Sequence, residues 1–310
     1  MRTKILFVAE DAFQREALRL AQNVLSELAL AFSHSFSMRE FVPSEHGDAG
    51  NLAETAQQHD AVLLAGSVSF LQEFGVVLGC HAGCLTLSKP ADIQHLARLK
   101  TGPLADFDLI WPLKNSVSVI GKTAVSACSL ARRNAADVLY IAPEDGTDYA
   151  GALNKAAMYA AMQSAPREMA LDTFLMSTLK QEATPVQLVM ASPKDAALAA
   201  GLLHYLNGTE NLAYILLLSD GGQFYGVTRA DQEEIPLFSV LYATQAMLKS
   251  ALNMVREGDC LRSAADNVLA SCCLTGTPKA GEQDISTQEI MERISQQIRL
   301  AGELIERFGN

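Results

Sequence analysis

Three side chains that can bind a metal ion lie close together in the sequence: Cys80, His81 and Cys84. Thiolate sulfur and imidazole nitrogen are ligands that Zn²⁺ prefers, and structural zinc sites use four ligands in a tetrahedron. The spacing therefore raises a zinc site as one interpretation. Because no second pair of such residues completes four ligands, we favour the alternative, in which the cysteines are free thiols that pack against helices.

A second candidate is the tripeptide Asp220-Gly221-Gly222, which follows the apolar segment Tyr214 to Leu218. A glycine-rich turn after a strand can accept a phosphate group on its backbone N–H groups. The same residues are also typical of a tight hairpin in which glycine adopts a positive φ. Both interpretations remain open at the level of the sequence.

Short apolar segments alternate with stretches of helical periodicity through the first two thirds of the chain. Segments rich in Leu and β-branched residues are typical of strands buried in a parallel or mixed sheet, and they lie at 5–9, 61–65, 109–111, 138–141, 186–190 and 214–218. From Pro236 onward helix dominates, with helices predicted over 237–257, 260–271 and 287–307. This alternation predicts an α/β fold with right-handed crossovers.

The composition excludes several classes of protein. A chain of 310 residues with 49% hydrophobic and 19% charged residues is globular and long enough for two domains. Its net charge of −11 and the absence of a basic cluster exclude a nucleic-acid partner. No apolar run reaches membrane-spanning length, and Ile5 to Ala9 is too short for a signal peptide. Six cysteines are too few for a disulfide scaffold, so we expect a cytoplasmic protein.

Several segments match one known family, in order, along nearly the whole chain. Glu10 to Glu16 matches a Gly-Asp-Gly-Ile-Gly-Pro-Glu turn at its Asp and its final Glu, and 59–67 matches a strand and turn "DAVLLG". Segments 170–176, 189–199 and 236–248 are similar to the "VDAMAM", "GDILSD" and "NPIATILSAAMML" segments. The chain therefore resembles the isocitrate and 3-isopropylmalate dehydrogenases, the β-decarboxylating dehydrogenase family, as a divergent member.

The resemblance implies an isopropylmalate-dehydrogenase-like two-domain α/β fold, with a mixed sheet flanked by helices. It places residues 1–92 and 206–310 in a discontinuous first domain and residues 93–205 in the second. It also implies a homodimer, formed by apolar helix faces of the second domain. The residues expected on those faces are Thr173, Phe174, Leu175, Met176, Leu198, Leu202 and Leu203.

Two aspartates fall on metal-binding positions of this family. Asp172 matches the aspartate of "VDAMAM", and Asp195 matches the first aspartate of "GDILSD", whose second aspartate falls on Ala199. Mg²⁺ and Mn²⁺ require several oxygen ligands, so two carboxylates predict a weak metal site. The alternative interpretation is that each aspartate caps or solvates the start of a helix, where Asp is favoured with or without a metal.

The substrate anchors of the family are partly replaced. Its first substrate arginine falls on Ser88 and its second on Arg98, while Lys114 is the cation nearest to the position of the third. With Lys89, these residues would hold a small carboxylate or phosphate through charge-assisted hydrogen bonds. Alternatively, Arg98 pairs with an acidic neighbour at a domain edge.

The groups that perform hydride transfer are missing from the matching positions. Pro143 stands where the family has a lysine, and no tyrosine stands in the segment Trp111 to Ser116 that should carry one. The dinucleotide loop corresponds to 227–234, whose part from Ala230 to Glu234 is acidic and lacks glycine. Such a loop repels a pyrophosphate, so we expect no NAD(P) binding and assign no cofactor-binding residue. The catalytic residues remain unknown.

Three functions follow from this pattern. The first is a divergent isocitrate/isopropylmalate dehydrogenase-like protein that has lost or altered its dehydrogenase activity and still binds a small anion in the interdomain cleft. The second is an active metal- and NAD(P)-dependent 2-hydroxy-acid oxidoreductase. The third is an enzyme of phosphate esters or acyl phosphates on the same fold, because a fold alone does not identify the chemistry. We favour the first, because several independent losses affect one reaction.

Overall fold

The computed structural model describes residues 2–46, 49–87, 107–180, 188–207, 213–228, 236–274 and 286–308. The strands are β1 Thr3–Ala9, β2 Phe36–Phe41, β3 Ala61–Gly66, β4 Ala82–Leu87, β5 Phe107–Pro112, β6 Val138–Ile141, β7 Arg167–Met169, β8 Leu188–Met190, β9 Ala213–Ser219 and β10 Gly222–Thr228. The helices are α1 Ala12–Phe32, α2 Pro43–His46, α3 Ala49–Gln57, α4 Val68–Val77, α5 Val117–Arg133, α6 Tyr149–Tyr159, α7 Leu171–Lys180, α8 Pro193–Asn207, α9 Leu237–Ser250, α10 Val255–Leu274 and α11 Thr287–Phe308.

The strands follow the order β2-β1-β3-β10-β9-β4-β5-β8-β6-β7 in a mixed sheet. Parallel pairs join β1 to β2 and β3, and β3 to β10. Further parallel pairs join β5 to β8, β8 to β6 and β6 to β7. Strand β4 runs antiparallel to both β5 and β9. The predicted fold class, a mixed sheet flanked by helices, is confirmed.

The described residues divide into two compact units. Unit 1 contains those up to residue 71 and those from residue 224 onward, and unit 2 contains those of 72–87 and 107–223. These divisions differ from the predicted ones, which lie at 92/93 and 205/206. Strands β4 and β9 belong to unit 2, whereas the predicted division placed their residues in the first domain.

Unit 1 is built around β1, which is fully buried from Ile5 to Val8. Helix α1 begins after Asp11, whose carboxylate accepts the backbone N–H groups of Phe13 and Gln14. The Gln14 side chain accepts the backbone N–H of Asp11 in return, which completes a capping box. The helix packs against β1, β3, α9 and α11, so it covers one face of the parallel strands.

Unit 2 is built around β5, β8 and β6, whose side chains are almost entirely buried. Helix α5 begins after Ser116, whose hydroxyl accepts the backbone N–H of Val119 at 3.4 Å. It packs against β4, β5, β6, β8 and α6, while α8 packs against β5 and α7. Apolar burial of these strands on both faces explains why the sequence shows continuous apolar runs there.

The helix predicted over 237–257 is wrong at residues 251–254, where the chain leaves one helix and begins another. Helix α9 ends at Ser250, and α10 begins at Val255. Asn253 between them has a φ of 54°, and the N–H of Leu252 donates to the carbonyl of Met247, a hydrogen bond that closes a helix end. Strands β2, β4, β7 and β10 were not predicted.

Among the described residues, the search for helices able to cross a membrane finds none.

Candidate functional site

Many of the polar residues in unit 2 that could carry chemistry lie along one edge of its strands. Strands β5, β6, β7 and β8 are parallel, so their carboxyl ends meet at this edge. Because β4 is antiparallel to β5 and β9, β9 also ends there and β4 begins there. We call this the carboxyl edge, the usual position of ligand sites in open α/β sheets. It comprises residues 81, 113–116, 142–148, 170–172, 191–195 and 219–221.

Asp195 lies on the carboxyl edge in the first turn of α8, and its side chain serves that helix start. It is 4% exposed, and its carboxylate accepts the hydroxyl of Ser192 at 2.7 Å. The same hydroxyl accepts the backbone N–H of Asp195 at 3.2 Å. One turn later, Ala199 is fully buried and offers no oxygen ligand. The helix-start interpretation of Asp195 therefore accounts for its contacts.

Asp172 lies in the first turn of α7 and is exposed. Its carboxylate accepts the backbone N–H of Thr173 at 2.6 Å and the hydroxyl of Thr173 at 3.3 Å. In the part of the chain that the structure describes, neither Asp172 nor Asp195 belongs to a group of three potential metal ligands.

The loop after β6 contributes a further carboxylate, Asp145, to the carboxyl edge. Asp145 accepts the amide of Asn115 at 2.9 Å and the hydroxyl of Thr147 at 2.6 Å. The hydrogen bond from the Thr147 hydroxyl is the main cause that lowers the pKa of Asp145. Pro143, at the position of the family's lysine, precedes this loop and provides no cation.

The phenol of Tyr149 is affected by the negative charges of both Asp145 and Asp195. It begins α6 and is 3% exposed. Burial, followed by the negative charges of Asp145 and Asp195, raises the pKa of Tyr149 to about 12. A phenol with such a pKa stays protonated at neutral pH, so it does not supply the activated base that hydride transfer needs.

We call Asn115, Asp145, Thr147, Ser192 and Asp195 the aspartate end of the carboxyl edge.

The predicted anion-binding residues are only partly described. Lys114 follows β5, is exposed, and makes no ion pair with any other described residue. Nearby on the carboxyl edge, Lys194 forms an exposed ion pair with Glu144 at 3.2 Å. Ser88, Lys89 and Arg98 lie outside the described residues.

The opposite end of the carboxyl edge holds a cluster that the sequence analysis missed, formed by His81, Lys122, Ser126 and Asp220. Nε2 of His81 lies 2.8 Å from the hydroxyl of Ser126, and Nδ1 lies 3.7 Å from a carboxylate oxygen of Asp220. Lys122 donates to the other oxygen of Asp220 at 2.5 Å. We call this cluster the histidine end. The four-residue spacing of Lys122 and Ser126, typical of one helix face, was the available signal.

Burial controls the protonation of His81, which is 6% exposed. Burial lowers its pKa, the negative charge of Asp220 partly opposes this, and the positive charge of Lys122 lowers it further. Its imidazole is therefore neutral at pH 7. Asp220 itself occupies the turn between β9 and β10, so the hairpin interpretation of Asp220-Gly221-Gly222 accounts for this segment.

The cysteines near His81 are packing residues. Cys80, Cys84 and Cys128 are buried free thiols. Burial raises the pKa of Cys80 to about 12 and that of Cys128 to about 11, and it raises the pKa of Cys84 well above its usual value. Together with His81 they form no metal-ligand group within the described ranges. The burial of these thiols favours the free-thiol interpretation over a zinc site.

In unit 1, the turn that resembles the family's first glycine-rich turn has a structural role. Besides the cap formed by Asp11, Glu10 accepts the backbone N–H of Ser67 at 2.6 Å and its hydroxyl at 3.1 Å. A Cβ at Gly66 would lie 2.5 Å from Phe70, which explains the glycine at the end of β3. The loop expected to hold a dinucleotide follows β10, and its residues 229–235 lie outside the described part.

Comparison with known proteins identifies the fold. No protein-family model matches the chain, and no curated protein matches its sequence. The crystal structure of isocitrate dehydrogenase from Methylococcus capsulatus is similar over 96% of this chain and 99% of that chain, with a TM-score of 0.73 and 10% sequence identity. At this identity the likeness concerns the fold alone, which is that of an isocitrate dehydrogenase.

Proposed function

We propose that this protein uses an isocitrate-dehydrogenase-like fold to bind a small carboxylate or phosphate and has lost metal-dependent hydride transfer. One observation carries this proposal. Asp195, one of the two residues matched to a metal ligand, is 4% exposed and hydrogen-bonded to Ser192, while the next helical turn presents the methyl group of Ala199. Among the described residues of one chain, a hard cation at this position would have one carboxylate instead of a cage of oxygens.

The chemistry of the remaining positions supports the same proposal. Hydride transfer from a 2-hydroxy acid requires a base for the hydroxyl proton. Pro143 offers none, and Tyr149, with a pKa of about 12, is protonated at neutral pH. Ala230 to Glu234, which would face a nicotinamide dinucleotide, contains three acidic residues and no glycine.

Anion binding is supported by one cation without an ion pair among the described residues and by two more in the sequence. Lys114 is exposed on the carboxyl edge without an ion pair to a described residue. Lys89 and Arg98 add two further positive charges in the sequence segment that resembles the family's substrate-arginine segment. Charge-assisted hydrogen bonds to a carboxylate or phosphate are stronger than neutral ones. These cations can therefore hold an anion without the groups that perform hydride transfer.

A homodimer is part of this proposal, with one change to the expected contact surface. Met176 on α7 and Leu198 on α8 are each 52% exposed, and α7 packs against α8. Exposed apolar side chains on adjacent helices favour pairing with a second copy. Phe174 is excluded from this surface, because it is 4% exposed and its ring lies 6.2 Å from that of Phe107.

The test combines ligand binding with turnover on the full-length protein. Thermal unfolding is followed with inorganic phosphate, malate, isopropylmalate, acetyl phosphate, NAD⁺, NADP⁺ and Mn²⁺, each added separately. We expect stabilisation by an anion, reduced in Lys114→Ala and retained in Lys194→Ala, whose lysine is paired with Glu144. We expect no stabilisation by NAD⁺ or NADP⁺, and no reduced cofactor when Mn²⁺, NAD⁺ and the hydroxy acids are combined.

Three results would contradict the proposal. Turnover that disappears in Asp195→Asn would establish the active 2-hydroxy-acid oxidoreductase and overturn the proposal. Consumption of acetyl phosphate would establish an acyl-phosphate enzyme. Absence of stabilisation by every anion would refute the binding function.

A further inference from the structure

The side chains at the histidine end stand in the order of a nucleophile, a base and an acid. The Ser126 hydroxyl is within hydrogen-bond distance of Nε2 of His81, at 2.8 Å. The other ring nitrogen, Nδ1, is buried, has no hydrogen-bond partner among the described residues, and faces Asp220 at 3.7 Å. When Nε2 accepts the serine proton, Nδ1 carries a proton of its own, and this proton points toward a carboxylate.

The backbone holds His81 firmly in this position. Its N–H donates to the carbonyl of Leu218 at 2.8 Å, and its carbonyl accepts the N–H of Leu113 at 3.0 Å and the hydroxyl of Thr123 at 3.3 Å. Asp220 instead lies on a hairpin turn and its side chain is 68% exposed. A small movement of this turn would shorten the contact with Nδ1 to the usual hydrogen-bond length of about 2.9 Å.

Lys122 adds a positive charge to the histidine end, where its ammonium group is bound to Asp220. It precedes Ser126 by one helical turn on the same face of α5, and its side chain is 47% exposed. Ser126 is half-buried, so part of its side chain is in contact with solvent. An ammonium group near a reacting carbonyl would stabilise the negative charge that develops on its oxygen.

We propose that Ser126 is a nucleophile that accepts the acyl group of small activated carboxylic esters and passes it to water. The serine oxygen bonds to the acyl carbon while its proton moves to Nε2 of His81. The bond between the acyl carbon and the leaving oxygen then breaks, and the leaving alcohol takes that proton. Water attacks the acyl-serine, His81 accepts the water proton, and the proton returns to the Ser126 oxygen as the carboxylic acid leaves.

This reaction requires no metal, no nicotinamide and none of the cations proposed to bind the anion. It is therefore independent of the proposed anion binding. The neutral imidazole needed as a base is present at pH 7, because burial and the charge of Lys122 lower the pKa of His81 while Asp220 only partly opposes them. The rate of acylation should therefore rise through one ionisation below pH 6.5 and remain level above it.

The experiment uses the full-length protein with p-nitrophenyl acetate and, separately, an alkyl fluorophosphonate. Adducts are located by peptide mass spectrometry, so reaction at surface lysines is counted separately. We expect labelling at residue 126, abolished in Ser126→Ala and reduced about a hundredfold in His81→Gln, the usual contribution of a general base. Ser129→Ala, at an exposed serine on the same helix, should label like the unmodified protein.

A third variant protects the test against misfolding, because His81 is buried whereas Asp220 is exposed. Asp220→Asn should keep the fold, measured by circular dichroism, and reduce acylation about tenfold through loss of the charge beside Nδ1. Equal labelling of Ser126 and Ser129, or labelling that is unchanged in Asp220→Asn, would overturn the proposal. Absence of any adduct on Ser126 would do the same.

Discussion

At the aspartate end of the carboxyl edge, the buried Asp195 and the exposed Asp145 each accept hydrogen bonds from neighbouring side chains. At the histidine end, 6%-exposed His81 keeps a buried ring nitrogen without a hydrogen-bond partner in the described structure. Polar groups that are buried and satisfied stabilise a fold, whereas a buried group left unsatisfied costs free energy. In our two proposals, the histidine end, which the family resemblance did not mark, performs a reaction, whereas the aspartate end stabilises the start of a helix.

The largest expected effect concerns Asp195. Asp195→Ala removes the acceptor of the Ser192 hydroxyl at the start of α8, and we expect a loss of about 1–2 kcal/mol in the free energy of unfolding. Asp195→Asn retains an oxygen acceptor and should remain close to the unmodified protein. Urea denaturation with and without Mn²⁺ checks this. A clear stabilisation by Mn²⁺ that Asp195→Asn removes would break the comparison by showing that this end still binds metal.

The histidine end should respond with the opposite sign. In the double variant His81→Leu with Ser126→Ala, the unsatisfied Nδ1 disappears together with the pair formed by Nε2 and the Ser126 hydroxyl, and apolar atoms replace them. We expect an unchanged free energy of unfolding or a gain of up to about 1 kcal/mol, since replacing both partners of a buried polar pair is often neutral or stabilising. Urea denaturation measures it. A loss as large as that of Asp195→Ala would mean that His81 serves the fold.

A smaller effect should appear at alkaline pH through Tyr149. Its pKa is raised from 10.0 to about 12, so the contribution to stability is complete below pH 10 and is lost as the pH rises toward 12. Tyr149→Phe should therefore show a weaker decline in unfolding free energy over this window. Tyr140 also has a pKa raised to about 12, by burial and by the hydrogen bond to Glu168, so Tyr140→Phe should weaken the alkaline decline in the same way. Identical alkaline profiles for Tyr149→Phe and the unmodified protein would contradict the assignment.

The smallest expected effect is a titration shift of Asp145. Thr147→Val removes the hydroxyl that contributes most to lowering the pKa of this carboxyl group, so the pKa should rise toward 3.8. Removal of the Asn115 amide by Asn115→Ala should raise it less, because that hydrogen bond is a weaker cause. Carboxyl-carbon NMR titration separates the two variants. A larger shift in Asn115→Ala would reverse the order of the contacts at this end.

The sequence predicted the parts of this fold that depend on local patterns. Continuous apolar runs indicated buried strands such as β1 and β9, because both faces of such strands are covered. Strand β2, Phe36–Phe41, escaped because, among the described strands, it pairs with β1 alone and carries polar, partly exposed residues. The break after Ser250 escaped because helical periodicity continues across a turn made by Asn253.

The difference between local and long-range contacts also explains which parts of the candidate site could be predicted. The helix-start roles weighed for Asp172 and Asp195 depend on neighbours within three positions, and such contacts are visible in a sequence. The histidine end depends on three separated segments. Ser126 lies 45 positions from His81, and Lys122 lies 98 positions from Asp220, so the topology around β4 is needed to bring them together.

The reactivity of the buried cysteines reports how often this part of the protein opens. Cys80, Cys84 and Cys128 are shielded and, with pKa values raised by burial, protonated, so electrophiles and oxidants meet almost no thiolate while unit 2 is folded. Opening of β4 or α5 would return each thiol to water and to its ordinary reactivity. The rate at which a maleimide labels these positions thus measures how often this part of the molecule opens, without any engineered probe.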